Sequence, residues 1–151
     1  MIETFSAEET FSVGYELGQA AVAGEVYCLL GDLGVGKTVL TQGFAKGLEI
    51  DDAISSPTFT IIQEYEDGRL PFYHFDVYRI ADPEEMDEIG FEDYVYGDGV
   101  CLIEWANLIT ELIPDSTKVI VIEKDLEKGF DYRKITVSEG KEVFELVDGL
   151  W

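Results

Sequence analysis

Residues 31–38 read Gly31-Asp32-Leu33-Gly34-Val35-Gly36-Lys37-Thr38, an instance of the pattern G-x-x-x-x-G-K-[ST]. Such a loop holds phosphate only when a strand precedes it and a helix follows it, so its context constrains the whole chain. Glu25 to Gly31 (EVYCLLG) is a short apolar run that stops at the first glycine, and Lys37 to Gly47 reads as a helix closed by glycine. Gly31, Gly34 and Gly36 let the backbone bend so that successive N–H groups and the helix N-terminus face an anion. Asp32, Leu33 and Val35 in the loop and Val39 in the helix are counted with them as candidate nucleotide-binding positions. Lys37 is the point charge for the β- and γ-phosphates, and Thr38 supplies a hydroxyl to Mg²⁺.

Phosphoryl chemistry at such a loop calls for a carboxylate on the metal side, at the end of an apolar strand beside the first. Val100-Cys101-Leu102-Ile103-Glu104 has that form, and Glu104 is the candidate. Trp105, next to it, stacks on a nucleotide or packs in the core. In Phe72 to Arg79 a two-residue period places Phe72, His74, Asp76 and Tyr78 on one face, and Tyr73, Phe75, Val77 and Arg79 on the other. Asp76 on so apolar a strand needs a partner such as water, Mg²⁺ or Thr38, which makes it a candidate catalytic group. His74, the only histidine, suits a hydrogen-bonded structural place or a catalytic one, and Arg79 an ion pair or a phosphate. Ser55 to Thr60 lies where a segment sensing the γ-phosphate is often found, with Thr58 and Thr60 as candidate ligands.

The remaining pattern completes an α/β alternation. Ser6-Ala7-Glu8-Glu9 has the form of a capping box, and Phe11, Tyr15, Leu17, Ala20 and Ala21 give an N-terminal helix its apolar face. Thr58 to Tyr65 and Leu70 to Tyr78 form a hairpin about Glu66-Asp67-Gly68-Arg69. Asp82-Pro83-Glu84-Glu85 starts a short acidic helix and Glu92 to Tyr96 another turn, neither with an obvious core face. Strands follow at Gly99 to Ile103, Thr117 to Glu123 and Tyr132 to Val137, and a short helix runs toward Trp151. The expectation is one domain over 1–151: α/β, three-layered and P-loop NTPase-like, with a mixed parallel and antiparallel sheet.

Charge limits the partners. Ten Lys and Arg against 32 Asp and Glu give a formal charge of −22 in 151 residues, and 80–117 contains no Lys or Arg. A grip on DNA or directly on tRNA needs clustered cations, which are lacking here. Apolar residues make up 46% of the chain, enough for a core despite the charge. No run approaches the roughly 18 apolar residues of a membrane span, and residues 1–19 lack the make-up of a signal peptide, so a cytoplasmic protein is expected. Cys28 and Cys101 sit in apolar runs without metal or redox spacing and read as buried hydrophobes.

GDLGVGKT, SSPTFTIIQEY, YHFDVYR, the acidic ADPEEMDEIGFEDY and VCLIEWA, taken in order, resemble the bacterial TsaE family, also known as YjeE, over nearly the whole chain. The resemblance implies an ATP-binding protein with slow intrinsic hydrolysis in tRNA N6-threonylcarbamoyladenosine formation at adenosine 37. It implies TsaB and TsaD as partners, with tRNA met only through them. By motif, Lys37 binds phosphate, Thr38 and Glu104 surround Mg²⁺, Asp76 assists the catalytic centre, Thr58 and Thr60 lie near the γ-phosphate, and Trp105 lies close to the nucleotide. The Ser6 to Thr10 region approaches the adenine. Val39 stands where the family often has a second threonine, and Gln42 where it is often basic. Asp82 to Asp98, with Phe91, Tyr94 and Tyr96 exposed, is the expected surface for a basic partner protein. A kinase and a non-hydrolysing ATP-dependent switch are the competing readings.

Overall fold

In a computed structural model, which describes residues 1–31, 35–54 and 61–146, seven strands form one sheet with helices on both faces. The strands are β1 (Ile2–Thr4), β2 (Val26–Leu30), β3 (Ile62–Tyr65), β4 (Phe72–Asp76), β5 (Val100–Glu104), β6 (Lys118–Lys124) and β7 (Arg133–Glu139). The helices are α1 (Ala7–Ala20), α2 (Lys37–Gly47), α3 (Glu85–Glu88), α4 (Phe91–Val95) and α5 (Glu142–Leu146). Strand order is β1-β7-β6-β2-β5-β4-β3. The four central strands β6, β2, β5 and β4 are parallel, while β3 pairs antiparallel with β4, and β7 with both β6 and β1. Parallel neighbours need long crossovers and antiparallel ones a short turn, and β3–β4 is joined by the expected Asp67-Gly68 hairpin.

Because successive strand residues face opposite ways, the sheet divides the core in two. Tyr27, Leu29, Phe72, Val100, Leu102 and Ile120 face α1 and α2, where Val13, Leu40, Phe44 and Leu48 meet them. Cys28, Phe75, Val77, Cys101, Ile103 and Val119 face α3, α4 and the turns after β5, where Met86, Phe91, Val95 and Ile109 meet them. This three-layer arrangement with a mixed sheet is the architecture expected from the sequence. Among the described residues no helix is long and apolar enough to cross a membrane.

Three expectations are corrected. The buried residues of α1 are Thr10, Val13, Gly14 and Gly18; of the expected face Ala21 is buried and Leu17 packs against the core, but Tyr15 and Ala20 are exposed. A Cβ on Gly14 or Gly18 would overlap the carbonyl oxygens of Leu40 and Phe44, and one on Gly43 or Gly47 those of Phe11 and Tyr15. The two helices therefore meet backbone to backbone, a contact that the large residues of the expected face would prevent. Ser6 caps α1 as expected, accepting from the Glu9 N–H at 3.1 Å, while the Glu9 carboxylate reaches the Phe5 N–H at 3.0 Å. The acidic helices do have core faces, for Met86, Phe91 and Val95 are buried. Of the aromatics expected on the acidic surface, only Tyr96, 71% exposed, stands clear: Phe91 is enclosed against Phe75, and Tyr94 lies edge-on to Tyr73 and Phe75. The third is an element not foreseen, the edge strand β1, which pairs Ile2 with Ile135.

Candidate functional site

The site gathers at the C-terminal ends of β2, β5 and β4, the end of a parallel sheet where crossover loops leave open space. α2 begins there at Lys37. Its N-cap, Gly36, has φ of 100°, a left-handed conformation that costs glycine nothing, and offers no side chain to the first-turn N–H groups. Those donors and the positive end of the helix dipole are what an anion meets. Arg133, at the start of β7, donates from Nε to the Val35 carbonyl at 2.6 Å and from Nη1 to the carbonyls of Tyr132 and Phe130 at 2.6 and 3.0 Å. The end of the loop is thus tied to the opposite part of the sheet.

Lys37 is buried at 8% exposure, with Nζ 4.4 Å from the centroid of the Trp105 ring. Trp105 has φ of 62°, unusual for a bulky residue, and its ring lies 4.8 Å from that of Tyr78. Thr38 is exposed on the first turn of α2, and Thr41 donates to the Lys37 carbonyl at 2.8 Å.

Parallel register sets Asp76 directly opposite Glu104. Glu104 is only 4% exposed, and one of its oxygens, Oε2, lies 2.6 Å from His74 Nε2. Asp76 is partly buried and accepts from the Tyr78 N–H at 3.0 Å. Burial pushes its pKa up, against the pull of that N–H; the Glu104 charge adds to the rise, and His74 and Lys37 oppose it. The net direction is upward.

Beside the loop a cleft of about 70 Å³ is lined by Ala7 and Thr10 of α1, by Val35, Gly36 and Val39, and by Asp131 and Arg133. It sets Ala7 and Thr10 of α1 beside Val35, Gly36 and Val39. Of the positions expected from the sequence, Gly31, Val35, Gly36, Lys37, Thr38, Val39, Asp76, Glu104 and Trp105 are described. Asp32, Leu33, Gly34, Thr58 and Thr60 lie outside the described residues. Arg79 is exposed beyond the end of β4. Arg133 was not singled out from the sequence; its only signal there was scarcity, since the chain has just three arginines.

The donor set is of hard oxygens, a carboxylate and a hydroxyl with a second carboxylate nearby, which suits Mg²⁺. Among the described residues no three His, Cys, Asp or Glu side chains form a cage. Mg²⁺ rarely uses one, taking one or two carboxylates and completing its shell with phosphate and water.

A central parallel sheet, a glycine-rich sequence between its middle strand and the next helix, and a lysine opening that helix define a P-loop NTPase-like fold. A family model described as "Threonylcarbamoyl adenosine biosynthesis protein TsaE" matches residues 4–135. The tRNA threonylcarbamoyladenosine biosynthesis protein TsaE of Bacillus subtilis (strain 168) is 46% identical over 144 residues, covering 95% of this chain and 88% of that one. The same-named protein of Treponema pallidum (strain Nichols) is 44% identical over 115 residues, covering 76% and 84%. The crystal structure of Bacillus subtilis YdiB superposes with a TM-score of 0.76 at 42% identity, over 97% of this chain and 88% of that one. The chain belongs to the TsaE family.

Proposed function

We propose that this protein is a Mg²⁺-dependent ATPase of tRNA N6-threonylcarbamoyladenosine biosynthesis, cytoplasmic, working with TsaB and TsaD and meeting tRNA only through them. The observation that carries the reading is the meeting of Lys37, Asp76 and Glu104 at one end of the parallel sheet, where α2 opens toward them. In this reading the loop N–H groups and Lys37 hold the phosphates, and Thr38 and Glu104 hold Mg²⁺. Held there, Mg²⁺ would supply charge neutralisation for the phosphate oxygens. Asp76 faces Glu104 with a raised pKa, which suits a group that orients water or takes its proton. Trp105 borders the phosphate end, and the cleft between α1 and Asp131 suits the nucleoside end. Thr58 and Thr60 are assigned to the γ-phosphate side by family motif alone.

The kinase reading is less well supported. Kinases commonly bring arginines to the transferred group. Here Arg133 donates to three backbone carbonyls, and Arg69 spends Nη2 on those of Gly18, Gln19 and Ala21. The net charge of −22 favours a basic protein surface over a polyanion as the direct partner.

The test is phosphate release from Mg-ATP by the protein alone and with its cognate TsaB–TsaD pair, with Lys37→Ala and Glu104→Ala as controls. The reading expects slow turnover alone, a rise with the pair, and loss in both variants. Binding without turnover in either setting would favour the switch, and phosphate delivered to an acceptor other than water would favour a kinase.

A further inference from the structure

β4 and β5 run in parallel with His74 opposite Leu102 and Asp76 opposite Glu104, so His74 and Glu104 are diagonal neighbours on one face of the sheet. Their side chains are nearly closed off, at 2% and 5% exposure, and Nε2 stands 2.6 Å from Oε2. The imidazole plane lies within 6° of the Phe72 ring plane, with centroids 6.2 Å apart. His74 Nδ1 is buried and has no hydrogen-bond partner among the described residues. On Glu104 it is Oε2 that the imidazole meets.

The unpartnered Nδ1 decides which way the short bond runs. Were Nε2 the acceptor, the neutral ring would carry its proton on Nδ1, leaving a buried N–H unpaired and requiring a protonated carboxyl. With the proton on Nε2, Nδ1 keeps only an idle lone pair, and the bond becomes a charge-assisted one to a carboxylate. That bond holds Oε2 and leaves Oε1 outside the pair.

We propose that His74 is a positioning residue for the metal: its Nε2–H anchors Oε2 of Glu104, so that the buried carboxylate presents Oε1 in one orientation to the divalent cation that accompanies the phosphates. The inference rests on the proposed role of Glu104. It concerns His74 acting through Glu104; His74 touches neither nucleotide nor cation. A histidine needed only to fill the sheet would contribute its ring, whereas this one contributes a donor at the Nε2 position. Glutamine can place an amide N–H near that position, asparagine near Nδ1, and phenylalanine keeps the ring without a donor.

The experiment is a Mn²⁺ titration of the ADP-bound protein, read from the free-ion electron paramagnetic resonance signal, beside the affinity for ADP without metal. His74→Phe is expected to weaken Mn²⁺ binding by about tenfold or more and to leave metal-free ADP affinity within about twofold. His74→Gln recovers much of the loss and His74→Asn little. Glu104→Gln separates the two layers of the argument. If it abolishes the metal dependence while folded His74→Phe binds Mn²⁺ as the parent does, the role of His74 is overturned and that of Glu104 stands. If Glu104→Gln binds Mn²⁺ normally, the proposed role of Glu104 falls and the inference with it. Imidazole ¹⁵N shifts of the parent protein give a test that does not depend on any variant folding. A proton on Nε2 with Nδ1 bare is expected, and a proton on Nδ1 alone overturns the proposal.

Discussion

The two faces of the sheet are covered by different means. On one, α1 and α2 touch through Gly14, Gly18, Gly43 and Gly47, with carbonyl oxygens where side chains would otherwise stand. On the other, α3 and α4 are only four and five residues long and are held by Met86, Phe91 and Val95. Backbone contact leaves little room to adjust, so the face bearing Lys37, His74, Asp76 and Glu104 has its second layer placed rigidly. Side-chain packing tolerates repacking, so the opposite face, which meets the site at Trp105, is freer to vary.

The largest effect expected from breaking this contrast is at the helix contact. Gly43→Ala or Gly18→Ala gains about 1 kcal/mol of helix propensity but places a methyl inside a carbonyl of the other helix. The clash wins, and urea denaturation is expected to show a loss of about 4 kcal/mol or more, or no folded protein. A gain in stability would mean that the helices can move apart and that the first face is not rigid. On the second face, Phe91→Ala is expected to cost about 3 kcal/mol through the cavity it leaves, with nucleotide affinity of the folded protein within about twofold of the parent. A larger change in affinity would couple the faces and weaken the contrast.

The two thiols belong to the second cluster and probe its closure. Burial pushes the Cys28 and Cys101 thiols up to about 12. An acid whose pKa is raised on folding ionises first in the unfolded chain, so stability is retained below pH 9 and lost between pH 9 and about 12. At pH 10 the loss is about 1 kcal/mol per thiol, and it is absent from a Cys28→Ala/Cys101→Ala variant compared across the same pH range. Rapid reaction of the native protein with a thiol reagent at pH 8 would contradict the burial. The smallest effect is at the acidic rim, where Glu84 and Glu88 are exposed. Glu85 is different, since its Oε2 accepts from the N–H groups of Ala81 and Asp82. Glu84→Lys and Glu88→Lys are expected to move stability by less than about 0.5 kcal/mol, upward at low salt because they relieve the net negative charge. Glu85→Lys should cost more.

Much of this was legible in the chain because local signals did the placing. The loop pattern, its flanking strand and the glycine closing α2 located Lys37–Gly47 to the residue, and Asp67-Gly68 located the hairpin. What stayed hidden depends on distant partners. β1 is three residues long and exists only by pairing with β7, more than a hundred residues away. The buried stripe of α1 contains glycines, which carry no apolar signal, and α3 and α4 are too short to show a period. Glu104 and Asp76 were identifiable as strand-end acids. That His74 would pair with Glu104 required the register of β4 against β5, and that Arg133 would hold Val35 required the return of β7 to the loop.

The most direct measurement is a map of backbone amide shifts on adding Mg-ADP, with Lys37→Ala as the control. The account predicts changes concentrated at Val35 to Val39, Asp76, Glu104, Trp105 and Thr10, weakened or lost in the variant, and little change from Met86 to Tyr96. Perturbation centred on α3 and α4, or an unaltered map in Lys37→Ala, would contradict it.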